Sequence, residues 1–327
     1  MKRGGSRKSP SQKVQGKPSP SSWGFCFSHR FSSKYPNQRG VAGRLHDSYK
    51  ISSTGGAEMP KVKIKDVNLY YEIHGSGYPL ILIRGLGSNA DHWYCQVPAF
   101  SSYYSVVVFD NRGIGRSDIP DLPFTISTMA DDTVGLMDSL GIRRAHILGI
   151  SMGGMIAQEI ALKHGQRVNG LILACTHCGG KQAIPPDPDI IRDLSGSLFG
   201  GTEEAVQRGL RCLFSDGTIQ QRPSVVQQYV EVSKRFPPAA QILIHQLKAI
   251  QGHDAWADLI NIQNPTLVLV GSEDVLIPVE NSKILAERIP NARLRVIEGG
   301  GHQFLIEQPN AFNKAVLDFL LGLPKES

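Results

Sequence analysis

The sequence predicts an α/β protein with a mostly parallel, doubly wound sheet and a helical cap insertion. Three observations predict this fold class. Short runs rich in Val, Ile and Leu recur along the chain, helical patterns separate most of them, and one long segment carries helical patterns without a strand. Continuous apolar runs are typical of parallel strands that are covered on both faces. Their alternation with helices implies right-handed crossovers within one sheet.

The strands and helices follow in chain order from residue 61. Residues 61–67 and 69–74 alternate in side-chain character, so we expect an antiparallel pair at one edge of the sheet. Six apolar runs are expected to be core strands: 80–83, 106–109, 145–150, 168–174, 266–270 and 294–297. Helices of the core are predicted over 129–140, 152–163 and 281–288, with a last helix that carries the apolar stripe Phe312, Val316, Phe319 and Leu320.

One region, residues 179–264, breaks the alternation. It has no convincing strand, and helical patterns cover 187–199, 202–215, 223–235 and 239–251. Ligands of open α/β sheets bind beyond the carboxyl ends of the strands, so an insertion that leaves this edge would roof the site. We therefore predict a core of residues 59–178 and 265–327 and a cap of residues 179–264 that determines substrate selectivity.

The charge is concentrated in the first 58 residues. They hold 11 of the 35 Lys and Arg residues but 2 of the 29 Asp and Glu residues, so this segment carries +9 and the remainder −3. Its basic, Ser-rich composition without periodicity predicts a disordered tail. The rest of the chain has no excess of positive charge to attract nucleic acid or an anionic membrane. We expect neither as a partner, and the oligomeric state stays open.

The expected location is cytoplasmic. Five cysteines, an odd number, without a secretory signal favour a reducing compartment. The tail also resembles an organellar transit peptide in composition, so organellar targeting is the alternative location. A second explanation of the tail is that the natural protein begins at Met59 and lacks it. Cys175 and Cys178 form a C-x-x-C pattern, which could be a redox pair or half a zinc site, but no second ligand pair accompanies it. Packing at a strand end is the favoured interpretation.

A nucleophile is predicted where the third core strand meets the following helix. Gly149, Ser151 and Gly153 form a G-x-S-x-G pattern at this junction. In that context the serine lies on a sharp, strained turn that lifts its hydroxyl above the sheet. The helix N-terminus also favours developing negative charge. The alternative is a tight turn with an ordinary serine.

A serine hydroxyl needs a general base and a carboxylate that orients this base. The segment 271–274, which ends at Asp274, directly follows the run 266–270, and His302 follows three glycines after the run that ends at residue 297. The chain order nucleophile, acid, base is the one expected on such a sheet. Asp274 is preferred to the adjacent Glu273, which we expect to point to solvent. Two backbone N–H groups, those of Leu86 and Met152, are predicted to hold the oxyanion.

The pattern Arg84-Gly85-Leu86-Gly87, the turn of residues 110–117, the segment 149–154 and the late aspartate and histidine together resemble the alpha/beta-hydrolase superfamily. The resemblance covers the chain from about residue 60 onward. Within the superfamily it is similar to the 3-oxoadipate enol-lactonase and carboxylesterase group, which implies Ser-His-Asp chemistry through an acyl-enzyme, without a cofactor or a metal. One departure is Arg84, since the family commonly has histidine before the first oxyanion glycine. This change bears on loop geometry and on substrate charge preference.

The predicted function is therefore hydrolysis of a small carboxylic ester or lactone by Ser151, His302 and Asp274. Two alternatives remain open. A perhydrolase or acyltransferase would use the same triad with peroxide or an alcohol in place of water. A small-molecule receptor would keep the triad but signal through its cap.

Overall fold

The computed structural model describes residues 60–120 and 123–324 of the chain. The predicted tail, residues 1–58, and the alternative start at Met59 lie outside these residues. The described part contains one eight-stranded sheet. Its strands are β1 (Lys61–Ile64), β2 (Val67–His74), β3 (Pro79–Ile83), β4 (Ser105–Phe109), β5 (Ala145–Ile150), β6 (Val168–Ala174), β7 (Thr266–Gly271) and β8 (Ala292–Ile297).

The sheet has the strand order β1-β2-β4-β3-β5-β6-β7-β8. Strand β1 pairs antiparallel with β2, and β2 pairs antiparallel with β4. All other neighbours are parallel. The fold-class prediction, a mostly parallel α/β sheet with two antiparallel strands at one edge, is confirmed.

Helices cover both faces of this sheet. They are α1 (Val97–Phe100), α2 (Ile126–Ser139), α3 (Met152–His164), α4 (Pro188–Phe199), α5 (Glu203–Leu213), α6 (Asp216–Gln221), α7 (Pro223–Arg235), α8 (Ala240–Gln251), α9 (Val279–Arg288), α10 (Phe304–Glu307) and α11 (Pro309–Leu321). Alternate strand residues serve the two faces: Ile81 joins a cluster with α2, α3 and α9, whereas Leu82 joins a cluster with α1 and α11. Because both sets are buried, the strands appear in the sequence as continuous apolar runs.

Strand β8 differs from its prediction as a core strand. It lies at the edge of the sheet, Arg293, Leu294 and Arg295 are exposed, and Ile297 alone is buried. Because β8 has one neighbour among the described strands and three consecutive exposed residues, both of its faces are partly open to solvent, and only the end that leads into the next loop is buried. Charged side chains on such an edge are a common protection against pairing with another chain.

Five helices, α4 to α8, occupy the chain between β6 and β7, and we call residues 188–251 the helical segment. Within the described residues this stretch forms no strand. Helix α6 was not predicted, and it begins after Ser215, whose hydroxyl accepts a hydrogen bond from the backbone N–H of Thr218. A serine in this position caps the free donors of the first turn.

Within residues 60–120 and 123–324, no helix has the length and apolar character needed to cross a membrane.

Candidate active site

Ser151 occupies a strained turn between β5 and α3. Its backbone has φ 56° and ψ −123°, a conformation that L-residues rarely adopt and that persists only when surrounding contacts hold it. Two contacts from the end of β6 do so: the Ser151 N–H donates to the carbonyl of Ala174 at 2.9 Å, and the Thr176 hydroxyl donates to the carbonyl of Ser151 at 2.7 Å. The turn thus presents a serine side chain, partly exposed, at the carboxyl edge of the sheet.

The two glycines of the pattern allow this turn because they bring backbone against backbone. A Cβ on Gly149 would collide with the carbonyl of Gly153, and a Cβ on Gly153 would collide with the carbonyl of Ile83 in the neighbouring strand. No side chain fits at either place. The start of α3 therefore packs directly on the ends of β3 and β5, which fixes where the serine lies.

His302 and Asp274 form a buried pair at the same edge. The Nδ1 atom of His302 lies 2.8 Å from Oδ2 of Asp274. The other oxygen, Oδ1, accepts hydrogen bonds from the backbone N–H groups of Leu276 at 3.0 Å and Ile277 at 2.8 Å. The carboxylate is thereby held with one oxygen free to bind the imidazole. Adjacent Glu273 is exposed, so Asp274 is the carboxylate that contacts His302.

The loops that carry this pair pack closely because their strands, β7 and β8, are neighbours. A Cβ on Gly271 would collide with the carbonyl of Gly300, and the backbone N–H of Glu273 donates to the same carbonyl at 2.9 Å. The glycines before His302 therefore permit the contact between the two loops. Gly301 in turn donates its N–H to the buried carboxylate of Glu307 at 2.8 Å.

The loop after β3 lies against the serine. A Cβ built on Gly85 would stand 3.0 Å from Cβ of Ser151 and 3.4 Å from the backbone N of Met152. Leu86, the next residue, is partly exposed, and Met152 is buried. The two predicted oxyanion donors therefore belong to segments that touch each other beside the serine. The loop is also fixed from the helical segment, since the N–H of Gly87 donates to Oε1 of Gln246 at 2.9 Å.

The structure brings a thiol to the same place. The donor atoms of Cys175, Asp274 and His302 all lie within 4.8 Å of one another, so these three residues could hold a metal ion. Burial raises the pKa of the Cys175 thiol well above its usual value, with the Asp274 carboxylate adding to the effect. Cysteine binds a metal as the thiolate, and a raised pKa keeps Cys175 in the thiol form, so Cys175 is a poor metal ligand. Cys175 and Cys178 are both free and buried.

Three residues of the site have roles that the sequence analysis did not anticipate. Thr176 holds the strained serine turn, Cys175 lies beside the acid and the imidazole, and Glu307 binds the loop that precedes His302. Cys175 and Thr176 directly follow β6, so the rule that sites form at strand ends could have indicated them. No comparable signal marks Glu307, which belongs to a short helix near the end of the chain.

Comparisons with known proteins agree with the fold. The family model described as "alpha/beta hydrolase fold" matches residues 78–309. A protein of Caulobacter sp. (strain K31) named for carbamate hydrolysis, RutD, is 36% identical over 265 residues, which is 78% of this chain and 96% of that protein. An enol-lactonase from Burkholderia xenovorans LB400 has a TM-score of 0.72 at 27% identity, covering 80% of this chain and 100% of its own. A thermophilic esterase from Thermogutta terrifontis has a TM-score of 0.70 at 28% identity, covering 80% and 98%.

A strained serine turn above a mostly parallel sheet, with a buried acid and imidazole at the same edge, is the arrangement of a hydrolase. The chain belongs to the alpha/beta-hydrolase family. Its relatives include proteins named as a carbamate hydrolase and as an enol-lactonase.

Proposed function

We propose that the protein hydrolyses a small carboxylic ester or lactone with Ser151 as nucleophile, His302 as general base and acid, and Asp274 as the residue that orients His302. The observation that carries this proposal is the 2.8 Å contact between His302 Nδ1 and Asp274 Oδ2 at the sheet edge where Ser151 occupies its strained turn. A carboxylate in this position fixes the imidazole tautomer and stabilises the imidazolium that forms during the reaction.

The reaction proceeds in two halves. The Ser151 hydroxyl attacks the carbonyl carbon while His302 takes its proton, and collapse of the tetrahedral intermediate breaks the bond to the leaving oxygen, which His302 protonates. Water then attacks the acyl-serine, His302 again takes the proton, and the acid is released with Ser151 restored. For a lactone, the acid and alcohol leave as one molecule.

The oxyanion of each tetrahedral intermediate is assigned to the backbone N–H groups of Leu86 and Met152. Contact between Gly85 and Ser151 supports this assignment, because it brings the loop after β3 against the start of α3. Preorganised donors of this kind contribute about 3 to 4 kcal/mol each to transition-state stabilisation in serine hydrolases.

We propose that the helical segment is the cap that selects the substrate. Its support is a set of contacts with both catalytic loops: Gln246 binds the N–H of Gly87, and the N–H of Gln303 donates to the carbonyl of Leu213 at 2.8 Å. Changes in this segment thus reach the oxyanion loop and the residue next to His302. The boundaries at residues 178/179 and 264/265, and the cytoplasmic location, stay predictions.

A fluorophosphonate probe tests the nucleophile. Wild type should be labelled on Ser151 and should release alcohol from a panel of short aryl esters and small lactones. Ser151→Ala should show neither label nor turnover, and equal labelling of the two proteins would overturn the assignment. Labelling of wild type without turnover would favour a receptor. If added alcohol or peroxide captures the acyl group in preference to water, so that an ester or a peracid forms in place of the free acid, acyl transfer or perhydrolysis is favoured.

A second candidate, carbamate hydrolysis, is favoured by the name of the 36% identical Caulobacter relative. The same serine, imidazole and oxyanion donors would act on a carbamate carbonyl. Aryl carbamates and aryl esters with matched leaving groups separate the two reactions. If kcat/KM is higher for the carbamate than for the matched ester, the protein is a carbamate hydrolase. If the carbamate instead forms a stable carbamoyl-enzyme slowly, the assignment as an ester hydrolase is supported.

A further inference from the structure

Arg84 is a buried cation for which the described residues provide no anionic partner. Its side chain is 1% exposed, and its Nη2 donates to Oε1 of Gln303 at 3.3 Å. Among the described residues, Nε and Nη1 of Arg84 have no hydrogen-bond partner. Gln303 is a neutral amide, so it satisfies a donor but not the charge. Burial accordingly lowers the pKa of Arg84 from its ordinary value.

Another buried arginine shows how this protein otherwise compensates such a charge. Arg112 is 3% exposed and binds Asp132 with two hydrogen bonds of 2.6 and 2.8 Å, while Asp66 binds its outer face. A guanidinium keeps its proton in proteins, so burial cannot neutralise it. Removal of an unpaired ion from water carries a large penalty. Asp132 and Asp66 offset this penalty for Arg112, whereas no carboxylate among the described residues offsets it for Arg84.

Two further polar groups without a hydrogen-bond partner belong to the neighbours of Arg84. Its guanidinium lies over the ring of Trp93, 4.9 Å from the ring centroid. The indole Nε1 of Trp93 and the hydroxyl of Tyr94 are also buried without a hydrogen-bond partner among the described residues. Burial raises the pKa of Tyr94, so its hydroxyl keeps its proton and can donate. We call Arg84, Trp93 and Tyr94 the arginine cluster.

The arginine cluster adjoins the proposed reaction centre through Gly85, the next residue in the chain, and through Gln303, the hydrogen-bond partner of the Arg84 side chain. Arg84 directly precedes Gly85, which packs against Ser151. Its hydrogen-bond partner, Gln303, directly follows His302. The guanidinium also interacts electrostatically with Cys175, which lies beside Asp274 and His302. The charge is therefore carried by the residue next to the proposed oxyanion loop and contacts the residue next to the proposed base.

We infer that Arg84 binds a carboxylate carried on the acyl portion of the substrate. This inference rests on the proposed hydrolase function and specifies its substrate class as esters or lactones of dicarboxylic acids. The planar guanidinium fork matches a carboxylate, and the binding is strong where water is excluded. The substrate anion supplies the charge that the protein itself does not place beside Arg84.

Matched esters test the substrate class. The para-nitrophenyl hemiesters of succinate and glutarate are compared with para-nitrophenyl esters of neutral acyl chains of the same size, in wild type and in Arg84→Met. Wild type should favour the hemiesters in kcat/KM, and the ratio of charged to neutral ester should fall by about tenfold to a hundredfold in the variant, as expected for loss of a charge-assisted hydrogen bond. Arg84→Lys should recover part of the ratio. Arg293→Met, which removes an exposed charge from strand β8, outside the helical segment, controls for net charge and should leave the ratio as in wild type.

A binding measurement separates this inference from the catalytic proposal. Ser151→Ala, which lacks the nucleophile, is titrated with glutarate and, at matched ionic strength, with chloride while its thermal midpoint is followed. Glutarate should raise the midpoint, and the double variant Ser151→Ala with Arg84→Met should not respond. This result would support the site even if no ester were turned over.

Two outcomes would overturn the inference. One is a charged-to-neutral ratio that is the same in wild type and Arg84→Met. The other is a chloride effect equal to that of glutarate, which would make the arginine cluster a site for an inorganic ion. Failure of the fluorophosphonate test, in contrast, would overturn the assignment of Ser151 as the nucleophile. The glutarate titration would still test carboxylate binding by Arg84 independently.

Discussion

Glu307 accepts two hydrogen bonds from Ser215 through one carboxylate oxygen, from the backbone N–H at 3.0 Å and from the hydroxyl at 2.7 Å. Its other oxygen accepts the N–H of Gly301 at 2.8 Å. Ser215 lies between α5 and α6 of the helical segment, whereas Gly301 immediately precedes His302. One buried carboxylate, 1% exposed as a residue, therefore joins the helical segment to the loop of the proposed base.

Replacement of Glu307 should loosen this junction. In Glu307→Ala, three donors lose their acceptor, and an unsatisfied buried donor costs about 1 to 3 kcal/mol. We expect the free energy of unfolding in urea to fall by about 3 kcal/mol or more and kcat to fall with it. Glu307→Gln retains one acceptor oxygen in the same volume and should lie between Ala and wild type. Equal stability of Glu307→Ala and wild type would contradict this role.

Asp274 and Glu273 are adjacent carboxylates, and we expect their replacement by the corresponding amides to change kcat by very different amounts. Asp274→Asn retains the shape but presents an amide to His302, which favours the wrong imidazole tautomer. We expect kcat to fall by roughly a thousandfold to ten-thousandfold, as in other triads. Glu273→Gln makes the same chemical change at an exposed neighbour and should reduce kcat by less than about twofold. Steady-state turnover of an aryl ester measures both, and similar losses would exclude a distinct role for Asp274.

A methyl group at Gly149 should be among the most disruptive small changes in the protein. The Cβ of Gly149→Ala would collide with the backbone carbonyl of Gly153, and neither segment can move without displacing α3 from the sheet. We expect a loss of about 3 kcal/mol or more in urea unfolding. Gly217→Ala is the matched control, because a Cβ there meets nothing within 4 Å in helix α6. It should stabilise the protein by about 0.5 to 1 kcal/mol.

Acid should destabilise the protein through buried neutral histidines. Burial, reinforced by the charge of Arg144, lowers the pKa of His146 from 6.5 to about 4. Between these two pH values the unfolded chain binds a proton that the folded protein does not, so the stability contributed by neutral His146 is complete above about pH 6.5 and is lost as pH falls. The slope for one such group reaches about 1.4 kcal/mol per pH unit.

His146→Leu should remove this contribution. Urea unfolding between about pH 4.5 and pH 8 should show a shallower loss of stability in the variant than in wild type below about pH 6.5. Above about pH 7 the two profiles should run parallel, which serves as the internal control. His92 and His177, with pKa values lowered by burial to about 3 and about 4, contribute in the same direction and keep the remaining slope. Identical slopes in wild type and variant would show that His146 is protonated in the folded state.

Much of the fold could be predicted because the central strands are covered on both faces. The predicted ranges 145–150 and 168–174 coincide with β5 and β6, since continuous apolar runs directly reflect two buried faces. Edge strands give no such signal. In β8, Arg293 and Arg295 alternate with less polar residues, and the apolar end of the run resembled a core strand although the strand lies at the edge.

The candidate site was predictable as far as it depends on local backbone geometry. Gly149 and Gly153 reveal the sharp turn at Ser151 because only glycine permits the backbone contacts there. The contacts of Glu307 and Arg84 could not be predicted in this way. Glu307 meets Ser215 across 92 positions, and Arg84 meets Gln303 across 219; whether a buried charge has a partner depends on such long-range packing and not on any periodicity in the sequence.

The order of the elements along the chain also determines when the proposed reaction centre can exist during synthesis. Strands β3, β5 and β6 and the serine turn are translated before the helical segment, whereas β7 and β8, with the loops of Asp274 and His302, are translated after it. A nascent chain can therefore form its serine turn early and yet lack the groups that would activate it. Until β7 pairs with β6 and β8 pairs with β7, the ribosome-bound polypeptide carries Ser151 without the proposed base, so we expect no ester hydrolysis before the last strand is in place.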